Sequence, residues 1–142
     1  MKTTKSINLF FDKFSFRVSY TSVKELILNE LKRLSKETGY GIDKLKIEFK
    51  DNLKDDTIAY FSHIGDKPIG FCFYINKFNN TSANKIIDTC RHEFAHYVVC
   101  MKNTGHHPEN SHGTDWKRAC NVLEAKPSPF MSNDRTKHLK TK

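Results

Sequence analysis

The stretch that most constrains this chain is Arg91-His92-Glu93-Phe94-Ala95-His96-Tyr97, a complete H-E-x-x-H pattern. It lies in residues 83–103, which contain neither glycine nor proline and follow Thr81 and Ser82, either of which suits an N-cap. The spacing predicts a helix. At about 100° per residue, Ile86, Ile87, Cys90, Phe94, Val98 and Met101 gather on one side as a core-facing stripe. His92 and His96, one turn apart, project together from the opposite side. With seven His and seven Glu in 142 residues, random placement gives roughly 0.02 such patterns. Two imidazoles one turn apart are what a single zinc ion needs, with Glu93 placed beside the metal's water.

The rest of the composition sets the frame. A chain of 142 residues is long enough for one domain with a real core, and eleven Phe and five Tyr supply its bulk. No apolar run approaches a membrane span, and Ile7-Asn8-Leu9-Phe10-Phe11 is too short and polar-interrupted for a signal peptide, so a soluble, cytoplasmic protein is expected. Cys72, Cys90, Cys100 and Cys120 form no C-x-x-C pair and read as small buried residues in a reducing compartment. The net charge of +8 is uneven. Residues 1–50 carry 11 Lys+Arg against 6 Asp+Glu, residues 51–100 carry 5 against 6, and residues 101–142 carry 8 against 4. Basic ends suit phosphate backbones or acidic partners, and equally an ordinary solvated surface.

Taken in order, residues 14–20 alternate like a half-buried strand. Ser22 and Glu25 form a capping-box pair, and Val23, Leu26, Ile27, Leu31 and Leu34 follow at helical spacing up to Gly39 and Gly41. Three strands are expected next, carried by Leu45, Ile47 and Phe49, by residues 57–62, and by Ile69, Phe71, Phe73 and Ile75. Residues 51–56 and Gly65-Asp66-Lys67-Pro68 separate them, and such short connections predict an antiparallel meander. The strand that leads into the motif helix has an edge on which an extended polypeptide could pair. His63, near a strand end, is more simply a solvated or capped histidine than a ligand. After the motif helix, a polar loop with Gly105, His106, His107 and Pro108 delivers His112-Gly113-Thr114-Asp115-Trp116. Trp116, Ala119, Cys120 and Leu123 then mark a last helix closed by Pro127 and Pro129. Residues 1–130 read as a single domain and residues 131–142 as a basic, disordered tail.

A catalytic zinc takes three protein ligands and keeps a fourth position for water. The longer H-E-x-x-H-x-x-G-x-x-H pattern is absent, because Val99 and Lys102 stand where its Gly and last His would be. The third ligand then comes from His106, His107, His112, Glu109 or Glu124, and His112 is the best choice: Gly113 permits a tight turn into the helix and Trp116 can anchor the loop.

His92-Glu93-Phe94-Ala95-His96, followed 16 residues on by His112-Gly113-x-x-Trp116-Lys117, resembles the SprT-like zinc metallopeptidases, the family of the Spartan proteases that act on DNA–protein crosslinks. The resemblance covers about residues 69–130. It implies one Zn2+ per chain held by His92, His96 and His112, with Glu93 as general base in peptide-bond hydrolysis. Asp88 then orients an imidazole or simply favours the helix N-terminus. Tyr97, His106 and His107 are candidates to touch substrate. The expectations are an α+β minimal zincin, with an N-terminal helix, a small antiparallel sheet, the motif helix and a closing helix. Its partners are a polypeptide substrate and, through the basic ends, a weak sequence-independent contact with DNA. The alternatives from other classes are a nucleic-acid- or protein-binding module with structural zinc, and a zinc amidohydrolase of small substrates.

Overall fold

The computed structural model describes residues 20–102 and 112–126. Helix α1 (Tyr20–Thr38) is followed by strands β1 (Lys46–Lys50), β2 (Ala59–Ile64) and β3 (Lys67–Tyr74), then a 3-10 turn (Ile75–Phe78) and helices α2 (Ala83–Lys102) and α3 (Thr114–Leu123). Among the described residues this is a small α+β domain of three helices and one three-stranded sheet. None of these helices is long and apolar enough to cross a membrane. The expected strand at residues 14–20 lies outside the described residues except for Tyr20, which begins α1, so Ser22 sits within the helix rather than capping it.

The expected antiparallel meander is corrected. The strand order is β1-β3-β2, with β1 parallel to β3 and β2 antiparallel to it. Only β2 and β3 form a hairpin, turning through Gly65, whose φ of 63° suits the first position of a tight turn. The eight residues between β1 and β2 carry the chain past the sheet, so β3 enters beside β1. The strand leading into the motif helix is therefore central, with both edges used, and cannot pair with a polypeptide as the sequence suggested.

Alternation sorts the sheet into two faces. Ile47 and Phe49 from β1, Ala59 and Phe61 from β2, and Phe71 and Phe73 from β3 join the hydrophobic core. Against them pack Val23, Ile27, Leu31 and Leu34 of α1 and Ile86, Cys90 and Phe94 of α2, all buried. Phe71 is the hub: its ring lies 5.4 Å from Phe61, 6.2 Å from Phe94 and 6.1 Å from Tyr97. α3 adds Trp116, Ala119, Cys120 and Leu123, the stripe expected from the sequence. All four cysteines are buried and unlinked.

Helices α1 and α2 are also joined by charge. Glu30, buried in α1, accepts from Arg33 Nη2 at 2.7 Å and from Arg91 Nε of α2 at 2.9 Å. Arg91 continues to the Glu124 carbonyl at 3.1 Å, so one guanidinium links α1, α2 and the end of α3.

Candidate functional sites: the histidine cluster and the open sheet face

The motif residues lie on α2 as the helical spacing predicts, but their face is not open. His92 and Glu93 are fully buried and His96 nearly so, because α3 lies across them. Trp116 of α3 fills the centre. Its ring stands 5.1 Å from His92, 5.4 Å from His96, on which it stacks, and 4.6 Å from His112. His96 and His112 meet edge to face at 5.0 Å, so the fold does bring the three expected imidazoles into one cluster.

The bonding within that cluster differs from the expected site. His92 Nε2 donates to the Lys126 carbonyl at 2.6 Å, which makes it a donor there and not a metal ligand. Asp88 Oδ2 lies 3.8 Å from the same nitrogen, while Asp88 Oδ1 accepts from the Lys126 amide at 3.1 Å. Asp88 and His92 thus grip both polar groups of one peptide residue beyond α3. Glu93 Oε1 and the Nε2 atoms of His96 and His112 are buried outside any hydrogen bond, although all three side chains make other contacts.

Among the described residues no three His, Cys, Asp or Glu side chains are grouped so as to hold a metal ion. The zinc centre expected on His92, His96 and His112 is therefore corrected: His92 is turned to a backbone carbonyl and the indole of Trp116 packs among the rings. With it go the one-zinc cofactor, Glu93 as base for a zinc-bound water, the minimal-zincin fold and the zinc peptidase, amidohydrolase and structural-zinc readings.

The other expected candidates are dispersed. Tyr97 donates its hydroxyl to the Gly41 carbonyl and packs edge-on against Phe94, on the core side of α2. His63 Nδ1 meets the Gly65 carbonyl at 2.8 Å, and its ring stacks on Phe61. The Glu124 side chain is exposed at the end of α3, where its residue takes the left-handed conformation. His106, His107 and Glu109 lie outside the described residues, as does the tail at 131–142. A groove of about 540 Å³ runs between α1, α2 and α3, floored by Val98, Val99, Ala119 and Leu123.

The sheet face away from the helices holds what the sequence reading missed. It carries Lys46, Glu48 and Lys50 of β1, Gly70, Cys72 and Tyr74 of β3, and Tyr60 and Ser62 of β2, in facing register. Cys72 is buried but stands outside the helix-packed core, tucked between Tyr60 and Tyr74. The two tyrosine rings are half-buried and lie 6.0 Å apart. Lys46 and Lys50 stand exposed along β1 at one margin of this face, Lys50 opposite Tyr74 and Lys46 opposite Gly70. Burial against the sheet, with Cys72 and Tyr74 alongside, pushes the Tyr60 phenol far above its ordinary value, and burial raises Tyr74 too. Both rings thus stay neutral across the physiological range. A period-2 pattern of Gly70, Cys72 and Tyr74 was visible in the sequence, but only the strand order sets it beside the lysines of β1.

No family model, curated protein or solved structure matches the chain. The resemblance to SprT-like peptidases, carried by two short motifs, is not supported at the level of the chain, and the peptidase assignment is withdrawn with it.

Proposed function

We propose that this protein binds single-stranded nucleic acid on the open face of its sheet. Bases stack on Tyr60 and Tyr74, and Lys46 and Lys50 hold the phosphates along the β1 margin. The observation that carries this reading is the tyrosine pair, two neutral rings 6.0 Å apart on a sheet face turned away from the helices and bordered by lysines.

Physical chemistry supports it. Every base has a π-face, so aromatic rings on a sheet hold single strands with little regard to sequence, while lysines track the backbone. A duplex hides its base faces and gains nothing from such a platform. The overall charge of +8 adds long-range attraction for a polyanion. Four buried, unlinked thiols suit a reducing compartment, where nucleic acid is at hand.

The test is fluorescence anisotropy with a labelled oligonucleotide of mixed sequence, single- and double-stranded, across a salt series. Single strands bind more tightly than the duplex, with affinity falling as salt rises. Tyr60→Ala and Tyr74→Ala each weaken single-strand binding by about 5- to 150-fold, the range of one base–aromatic stack. Unchanged affinity in the double variant, with its fold intact by circular dichroism, removes this reading.

A further inference from the structure

A carboxylate set between the two lysines proposed to hold phosphate works against them unless it has a task. Glu48 occupies that position. Its Oε1 lies 3.6 Å from Lys50 Nζ and its Oε2 3.9 Å from Lys46 Nζ, so it stands between the two cations and cancels part of their field. In register it faces Cys72, which in turn faces Tyr60, and the next pair of β1 and β3 on the same face is Lys50 with Tyr74. With neighbouring strands about 4.8 Å apart, Glu48 borders the surface on which a base over Tyr74 would lie. Its side chain is two-fifths exposed, and its lysine neighbours hold it in place while leaving acceptor positions on both oxygens.

We infer that Glu48 selects among the stacked bases, favouring those with an exocyclic amino group. This inference rests on the single-strand reading above. An ionised carboxylate only accepts hydrogen bonds. Cytosine turns its N4 amino group outward and can donate to it, as Glu and Asp do with cytosine elsewhere. Uracil offers a carbonyl oxygen in the same place, and two acceptors facing each other repel. Glu48 thus costs some affinity for phosphate and returns discrimination between pyrimidines of the same ring size.

Binding of oligo-dC and oligo-dU, each of about 12 nucleotides, to the full chain tests this, because the two bases differ at that edge and not in methylation. Wild-type protein prefers oligo-dC roughly fivefold, the low end of one good base contact. Glu48→Gln brings the ratio close to one, since an amide turns to donate to uracil as readily as it accepts from cytosine. The same variant binds both oligonucleotides more tightly than wild type as the negative charge is removed. Equal binding of the two by wild type, or a preference that persists in Glu48→Gln, overturns the role of Glu48 and leaves the stacking platform standing. Absence of binding to both, or binding indifferent to Tyr60→Ala and Tyr74→Ala, overturns the platform and the selection together.

Discussion

His92 of α2 donates a hydrogen bond to the backbone carbonyl of Lys126, 34 residues downstream, at 2.6 Å. Because a carbonyl only accepts, the ring nitrogen there carries its proton, and the histidine is fixed in one tautomer. With Asp88 Oδ1 on the amide of the same residue, α2 fastens the chain beyond α3 and holds Trp116 down on the imidazoles. The motif that looked like a metal clamp works here as a backbone clamp.

His92→Ala should therefore destabilise the domain by about 2–4 kcal/mol, from the lost hydrogen bond and the cavity beside Trp116. Urea unfolding checks it. Glu124→Gln, exposed, should stay within about 0.5 kcal/mol of wild type. Equal stability of His92→Ala and wild type would remove the clamp.

The same geometry makes a statement about zinc that calorimetry can contradict. Zinc in modest excess over protein should leave the melting temperature within about 1 °C. A ligand at a hundred times its Kd adds about 2.7 kcal/mol, which raises the midpoint of a domain this size by several degrees. A rise of that size, abolished in His96→Ala, would mean that the imidazoles reorganise around the ion.

How much of this could be read from the residues alone depends on the range of the interaction. The α2 stripe of Ile86, Cys90 and Phe94 and the α3 stripe from Trp116 to Leu123 follow from helical periodicity, a local property, and both are buried. Clustering of His92, His96 and His112 was legible as well. What those rings do was not, because it depends on Lys126 and on the seating of Trp116, contacts set by packing between helices. Phe71 and Phe73 announced an inward face by alternation. That β1 pairs with β3 was hidden, since parallel pairing leaves no turn between its partners to mark it. Tyr60 and Tyr74 belong to the hairpin that was expected, but the lysines of β1 beside them were hidden for the same reason.

Glu30 provides a pH test. Burial works to raise its carboxyl, but the hydrogen bonds and charges of Arg33 and Arg91 outweigh it and leave the group below its ordinary 4.5. A depressed native value means that Glu30 contributes stability above the unfolded value of 4.5, and that this is lost as pH falls through the lower native value. Glu30→Gln should cost about 3 kcal/mol at pH 7, where two arginines lose their carboxylate. The gap between variant and wild type should shrink below pH 4.5. A gap constant down to acid unfolding would mean that the network contributes packing and not charge.

Gly70 sets the approach of β1 to β3. A methyl group there would stand 2.1 Å from the Lys46 carbonyl oxygen, which is backbone and cannot swing aside. Gly70→Ala should cost about 3 kcal/mol or more, above the usual overpacking range. The amides of Lys46–Lys50 should lose hydrogen-exchange protection before those of β2. Retained protection in β1 would show that the strand slides without cost.

The order β1-β3-β2 leaves the domain with two unlike margins. One is β1, five residues long, with Lys46, Glu48 and Lys50 along it. The other is β2, whose ladder breaks register between Ser62 and His63. A short, charged margin and a kinked one are both poor templates for a foreign strand. The sheet can thus leave an aromatic face in water without stacking edge to edge with copies of itself, and crowding at high concentration should not turn that face into a seed for fibrils.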